Sequence, residues 1–247
     1  LGLIYFRVDS IMLSLLKDSE AVGIYGAPYK ILEILITVPS MFVGSVFPLA
    51  AGYFKNRDER FGLSFKRTFD FIAFIAFPTL VLFFVLAKPI VFLVLGSEFL
   101  VSAMVLQYLM FAVFIIFFGT IMGNYIVACN LQKKLVSIYI ASVLVNIFLN
   151  LALIPNYSYI GAALATIITE FLVCISAYLV LYNSTGLMPS FKIFFKAAFA
   201  SVLMGVLLYL LINQNLLLTI MLGGLSYIVI MYFIKGFDKE MIRRVLR

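Results

Sequence analysis

Three long stretches of the sequence contain no charged residue. They cover residues 99–132, 135–169 and 197–234 and contain 34, 35 and 38 residues. About 20 apolar residues cross the hydrocarbon core of a bilayer as a helix, so each stretch exceeds one simple span. The core of one water-soluble domain does not account for them, because only 12% of all residues are charged, against about 25% in soluble domains. The sequence therefore predicts a helical membrane protein.

Turn residues and charges divide the apolar sequence into about eight segments of span length. We therefore predict an all-α fold, a polytopic membrane helix bundle of about eight transmembrane helices. The second segment is long and contains Pro39 and Pro48, so it is expected either to kink or to run past the bilayer. Residues 88–96 are too few to cross alone and are expected to lie at the interface or to re-enter the membrane. The predicted crossings are residues 1–16, 22–53, 68–87, 100–127, 133–154, 159–182, 192–212 and 216–234.

Lysine and arginine residues concentrate on alternate connections between these crossings. Fourteen of the 18 lie on one set of connections, whereas the other set carries only Lys17 and Lys88. Because positive residues favour the cytoplasm, this asymmetry predicts a multi-pass protein of the cytoplasmic membrane, with both termini of this chain on the cytoplasmic side. The net charge of +7 is accordingly interpreted as a topology signal, and no nucleic acid is expected as a partner.

Several kinds of chemistry lack the residues that they need. The sequence has no histidine, the commonest metal ligand and general base. Its two cysteines, Cys129 and Cys174, lie in apolar stretches and are interpreted as packing residues. No GxxxxGK[ST] motif for nucleotide phosphates occurs. We therefore expect no metal, no cofactor and no catalytic residue, and we predict that the protein is not an enzyme.

Charged residues inside the predicted crossings are the candidate functional residues, because a charge at mid-depth costs at least about 2.5–3.5 kcal/mol on insertion scales. Lys30 and Glu33 are three residues apart, so they share one helix face and can pair. Arg7 and Asp9 are two residues apart and point about 200° from each other around their helix. At least one of them therefore faces a cavity or a second helix, and a contact between Asp9 and Lys30 is one option.

Glu170 lies nine residues beyond Gly161 and about 13 Å into its helix, far from any basic residue in sequence. It has either a coupling or substrate-contact role or a structural hydrogen bond. The wider set of charges has two interpretations as well: it lines a hydrated pathway for an anionic or sugar-rich substrate, or it forms a structural ion-pair cluster. The asparagines within the spans, Asn124, Asn146 and Asn150, are expected to join helices.

Five local patterns follow one another along the chain: RVDSIML at residues 7–13, EAVGIYGA at 20–27, Pro48 at the end of an apolar helix, GSEF at 96–99 and LIPNYSYIGAA at 153–163. This series resembles the polysaccharide and O-antigen flippases, the polysaccharide transporter branch of the multidrug/oligosaccharidyl-lipid/polysaccharide exporter superfamily. The chain departs from the family at Ser158, where members often have glycine.

The resemblance implies one lobe of a two-lobe exporter fold. Residues 1–183 would form the six-helix C-terminal lobe, with its first helix truncated, and the N-terminal lobe would be a missing partner. Residues 184–247 would add two further transmembrane helices and a basic cytoplasmic tail. Charged and apolar side chains interleave over residues 237–247, and this pattern predicts an amphipathic helix on the anionic leaflet.

The resemblance also implies a function. The family moves polyprenyl-pyrophosphate-linked oligosaccharides across the cytoplasmic membrane by alternating access, for the synthesis of surface polysaccharides such as lipopolysaccharide. The implied partners are therefore a lipid-linked oligosaccharide and membrane lipid, and the driving force is an H⁺ or Na⁺ gradient or the downhill removal of product. Asp9 matches the aspartate of the family's seventh helix, whereas Arg7 and Lys30 are candidate cavity cations.

Other functions stay open at this point. Within the same superfamily the alternatives are a cation-coupled multidrug exporter and a peptidoglycan-precursor flippase. A membrane-embedded glycan polymerase or acyltransferase belongs to another class, and the absent histidines and short outer connections oppose it. A membrane scaffold without transport activity is the remaining option.

Overall fold

The computed structural model describes residues 8–236, so Arg7 and the tail expected at residues 237–247 lie outside the described part. Within it the chain forms α-helices, one 3₁₀ turn and short connections, and it contains no strand. The all-α class predicted from the sequence is confirmed. The helices are α1 (Val8–Leu16), α2 (Ser19–Leu35), α3 (Thr37–Lys55), α4 (Arg60–Val85), α5 (Ala87–Leu95), α6 (Ser102–Ala128), α7 (Gln132–Thr185), α8 (Phe191–Leu210) and α9 (Leu216–Phe233).

Among the described residues, six helical stretches are long and apolar enough to cross a membrane. The helices α2 and α3 together form the first, and α4, α6, α7, α8 and α9 are the others. Helix α5 has nine residues and occupies the segment that was too short to cross. The apolar stretches of the sequence therefore form the membrane helices.

Helix α7 has 54 residues and reverses direction at Ser158, whose backbone is not helical (φ 51°, ψ −131°). A Cβ atom placed on Gly161 would lie 2.5 Å from the carbonyl oxygen of Leu153. In a continuous helix these two residues would be separated by about 12 Å along the axis. The two halves of α7 therefore double back as a hairpin, as the predicted connection at Pro155–Ser158 requires.

Pro39 explains the break in the second predicted crossing. Helix α2 ends at Leu35 and α3 begins at Thr37, with Ile36 between them. Pro39 has no N–H group for the carbonyl of Leu35, and its ring crowds that carbonyl. The break between α2 and α3 at Ile36 lies three residues before Pro39, where a proline is expected to disturb a helix.

The backbone carbonyl of Ile24, which has no helical hydrogen bond because of Pro28, accepts a hydrogen bond from another helix. Pro28 lies inside α2 and cannot donate a hydrogen bond to the carbonyl of Ile24, four residues earlier. The Ser102 hydroxyl at the start of α6 donates a 2.8 Å hydrogen bond to that carbonyl instead. The side chain of Ser102 is completely buried, so this bond replaces water as well as the lost helical bond.

Helix α6 is the centre of the bundle, with α2, α3, α4, α5 and α7 packed around it. Its buried side chains recur every three or four residues, as in Leu106, Met110, Val113 and Phe117. Helix α8 packs on α4, and α9 packs on α8 and also contacts α4. Aromatic contacts join α8 to α4, because the rings of Phe77 and Phe194 lie 4.7 Å apart in an edge-to-face arrangement.

Contacts between the connections sort them into two ends of the bundle. At one end, the Lys17 ammonium at the turn between α1 and α2 donates a 2.9 Å hydrogen bond to the carbonyl of Pro155, at the reversal of α7. At the other end, the Lys196 ammonium donates to the carbonyl of Lys235 at 2.8 Å. The connections that meet at each end are ones that the distribution of lysine and arginine residues assigns to the same side of the membrane.

Candidate functional site

Asp9 is the centre of a buried hydrogen-bond network. Its side chain is 3% exposed, and three neutral groups donate to its carboxylate. The Asn150 amide donates to Oδ1 at 2.6 Å, the Thr166 hydroxyl to Oδ2 at 2.7 Å and the Tyr25 hydroxyl to Oδ2 at 3.1 Å. A carboxylate in this position is solvated by side chains in place of water.

Two adjacent hairpins bring these four residues together. Asp9 and Tyr25 each lie eight residues from Lys17, on the two sides of the turn between α1 and α2. Asn150 and Thr166 each lie eight residues from Ser158, on the two halves of α7. Eight residues of helix correspond to about 12 Å. Because Lys17 contacts the reversal of α7 through Pro155, all four side chains reach the same depth below that end of the bundle.

The network continues along α7 towards the other end. The Asn150 amide group also donates to Oδ1 of Asn146 at 3.0 Å, and the Asn146 amide approaches the Thr169 hydroxyl at 3.5 Å. The carbonyl oxygen of Asn150 is buried and has no hydrogen-bond donor among the described residues. The network therefore contains one acceptor oxygen without a donor beside a buried carboxylate, and oxygen atoms of this kind are ligands for a hard cation or a proton.

The structure separates the predicted site residues. Asp9 and Glu170 are buried, Glu33 is half-buried and Lys30 is exposed. Within residues 8–236 the hydrogen-bond partners of Asp9 are the neutral side chains described above, so the Asp9–Lys30 contact does not form. Glu170 follows Thr169 in α7 and lies within electrostatic range of the Tyr139 hydroxyl. No group of three metal-binding side chains occurs in this part of the chain.

Lys30 belongs to an exposed stripe of small and polar residues along α2 and α3. Polar groups are costly in contact with acyl chains, so such a stripe is an unsuitable surface for lipid. A side chain placed on Gly23 or Gly44 would project into open space. The stripe residues recur every three or four positions, and each is exposed or half-buried. The residues of the stripe are Gly23, Ala27, Lys30, Glu33, Thr37, Ser40 and Gly44.

Sequence reasoning missed Tyr25 and Thr166 as members of the network. Tyr25 lies in one of the motifs that carried the family resemblance, and Thr166 follows the small residues after Gly161. The equal spacing of all four residues from their turns was visible in the sequence. It becomes informative only when the two turns are known to touch. Asn146 and Asn150 join helices, as expected, whereas Asn124 donates to the Thr120 carbonyl of its own helix.

Comparisons with known proteins support the resemblance. Residues 1–104 match the model of a family described as polysaccharide biosynthesis protein. The fold matches a solved structure of a lipid II flippase, MurJ, in an inward closed conformation, with a TM-score of 0.80 and 17% sequence identity. That match covers 99% of this chain and 52% of the other, so the chain spans about half the length of the flippase. A search of the curated proteins by sequence finds no match.

The described helices thus have the fold of this solved flippase structure and enclose a buried polar network. Four of the five motifs that carry the resemblance to the polysaccharide flippases lie within the matched residues 1–104.

Proposed function

We propose that this chain forms part of a flippase that moves a polyprenyl-pyrophosphate-linked oligosaccharide across the cytoplasmic membrane by alternating access. The observation that carries the proposal is the flippase fold over 99% of the chain, together with the match of residues 1–104 to the polysaccharide biosynthesis family. The protein acts as a transporter and not as an enzyme.

The exposed stripe of α2 and α3 supports this function. A sugar chain and a diphosphate cannot cross about 30 Å of hydrocarbon unaided, because their polar groups would lose water without replacement. The stripe offers the ammonium of Lys30 on an open surface, together with the hydroxyl oxygens of Thr37 and Ser40 as acceptors, since both hydroxyls donate to backbone carbonyls. We infer that the stripe forms one wall of the pathway and that Lys30 contacts the anionic head of the substrate.

A second lobe completes this pathway in our proposal. The chain covers half of the flippase whose fold it matches, and its stripe faces away from the bundle core. With α7 counted as two crossings and α1 as the end of another, the chain supplies eight crossings. The basic connections then lie in the cytoplasm, together with both termini of this chain.

We further propose that the Asp9 network couples transport to H⁺ or Na⁺. The network offers a carboxylate, the unpartnered carbonyl oxygen of Asn150 and the hydroxyl of Thr166. Hard cations prefer such oxygen ligands, and a proton on Asp9 would equally remove the buried charge. Either ion would change the hydrogen bonds that join α1, α2 and α7.

The flipping of a labelled lipid-linked oligosaccharide in proteoliposomes tests the function. The native protein is used, including whatever sequence flanks residues 1–247 in the cell. We expect labelled glycan to become accessible to an external glycosidase faster than in protein-free vesicles, and Lys30→Glu to slow this by tenfold or more. Lys88→Glu, which makes the same charge change on an exposed residue outside the stripe, is the matched control.

Lipid II serves as the competing substrate in the same assay, because the matched structure is that of a lipid II flippase. Preferential movement of the oligosaccharide lipid supports the proposal. Preferential movement of lipid II favours the peptidoglycan-precursor alternative. If neither lipid moves faster than in protein-free vesicles, the proposal fails.

A further inference from the structure

A cavity of about 730 Å³ lies at the basic end of the bundle, where the ends of α3 and α6 meet the beginnings of α4 and α7. This volume is within the range of small-molecule binding sites. The apolar part of the cavity lining includes Phe47, Phe54, Phe61 and Val127. Phe47 lies eight residues before Lys55 in α3, so the cavity extends about 12 Å from the basic connection towards the membrane interior.

The mouth of the cavity is polar and carries positive charge. Lys55, Arg57 and Asp58 line it on one side, and Asn130 and Gln132 line it on the other. The two lysines that follow Gln132 in sequence add further positive charge near this end. The cavity therefore has an aromatic interior and a basic entrance.

The Asp58 carboxylate does not neutralise the positive charge of the entrance, because it is already paired with Arg60. The Arg60 guanidinium lies 2.6 Å from the Asp58 carboxylate, and the Arg60 Nε–H and backbone N–H each donate to that carboxylate at 2.8 Å. These bonds hold the pKa of the Asp58 carboxyl below its ordinary value, so Asp58 is ionised and paired at neutral pH. The same guanidinium lies 4.7 Å above the ring of Tyr53, which fixes it beside the cavity.

Lys55 and Arg57 thus remain available to a ligand. Both side chains are exposed and have no hydrogen-bond or ion-pair partner among residues 8–236. Arg57 adopts a left-handed backbone conformation (φ 53°), and its N–H donates to the carbonyl of Phe54 at 3.1 Å. The turn therefore holds two unpaired cations above an apolar cavity.

We propose that this cavity binds the head of an anionic phospholipid from the surrounding leaflet. The phosphate contacts Lys55 and Arg57, the amides of Asn130 and Gln132 accept and donate hydrogen bonds with the headgroup hydroxyls, and the upper acyl chain lies along Phe47 and Phe54. Basic pockets between membrane helices suit such lipids. A small soluble anion would leave the aromatic wall exposed to water, so the apolar interior favours a lipid over free phosphate.

Native mass spectrometry of the purified protein in detergent tests this site. The probes are dioleoylphosphatidylglycerol and dioleoylphosphatidylcholine, which share their acyl chains and differ in net charge. We expect the anionic lipid to bind at least tenfold more tightly. Each basic residue near a membrane surface contributes on the order of fivefold, so Lys55→Gln with Arg57→Gln should weaken binding of the anionic lipid about 25-fold.

Two further variants separate charge from shape. Lys88→Gln with Lys192→Gln removes the same charge from two exposed positions outside the cavity and should leave binding of the anionic lipid unchanged. Ala51→Phe fills the cavity without changing charge and should weaken binding, while thermal unfolding in detergent shows that the protein still folds.

The remaining outcomes would overturn the proposal. Equal binding of the two lipids, or equal losses in the two double variants, would show that Lys55 and Arg57 form no lipid site. Displacement of the anionic lipid by inorganic phosphate at the same concentration would identify a site for a free anion. None of these measurements depends on flipping, so their failure is distinguishable from failure of the transport function.

Discussion

The Tyr227 hydroxyl donates a 2.8 Å hydrogen bond to the carbonyl oxygen of Phe74. Phe74 lies four residues before Pro78, which cannot donate the helical hydrogen bond to that carbonyl. Ser102 and Ile24 form the same arrangement around Pro28. In both places a side chain from another helix replaces the N–H group that proline lacks, so a proline inside a membrane helix becomes a point of attachment between helices.

Replacing Tyr227 with phenylalanine removes this hydroxyl and keeps the ring. We expect a loss of about 0.5–1.5 kcal/mol in unfolding free energy, because the hydrogen bond between the two helices is lost in an apolar environment. Thermal unfolding in detergent measures the change. Tyr232→Phe on the same helix, where the side chain is exposed, should change stability little. Equal effects of the two substitutions would contradict the role of the bond.

Replacing Ser158 with glycine should stabilise the protein. Its φ of 51° and ψ of −131° belong to the first central position of a type II′ turn, which glycine adopts without strain. Ser158→Gly is therefore expected to raise the unfolding free energy by about 1 kcal/mol. The same thermal assay measures it, with Ser137→Gly in the regular helical part of α7 as a control expected to be destabilising. A loss of stability at both positions would show that Ser158 carries no strain.

Gly161 should not tolerate even alanine. The added Cβ would lie 2.5 Å from the carbonyl oxygen and 2.6 Å from the carbonyl carbon of Leu153, and backbone atoms cannot move aside as a flexible side chain can. We expect Gly161→Ala to cost about 2 kcal/mol or more in unfolding free energy. Gly224→Ala in α9, where no atom lies within 4 Å of the new methyl group, is the matched control. Unaltered stability at residue 161 would mean that the two halves of α7 are not in close contact.

Asp9→Asn removes a charge from the buried network and preserves the shape of the side chain. We expect the flipping rate to fall tenfold or more and its dependence on an H⁺ or Na⁺ gradient to disappear, because the neutral amide no longer attracts a cation. Flipping rates in proteoliposomes with and without each gradient measure this. Asp58→Asn changes a carboxylate outside the network and should preserve gradient dependence. A gradient response retained by Asp9→Asn would exclude this carboxylate as the coupling group.

Much of the fold follows from local properties of the sequence. The charge-free stretches give the membrane helices, and Pro39 gives the break at Ile36. The Asp9 network could be predicted only in part. Asp9 and Thr166 are 157 residues apart in sequence, and their hydrogen bond requires the hairpins of α1–α2 and α7 to adjoin. Residue types mark which groups are costly to bury, but only the packing of helices decides which partner each group finds.

The break at Ile36 divides the long α2–α3 crossing into two helices within the wall of the proposed pathway. Bending a regular helix costs the backbone hydrogen bonds on its outer side, but here Pro39 has already removed the one at Leu35. Helix α2 is joined to its neighbours through Tyr25 and the Ile24 carbonyl, and α3 packs on α4 and α6. We therefore expect the angle between α2 and α3 to change at less cost than in a regular helix, and with it the distance from Lys30 to Ser40 across Ile36.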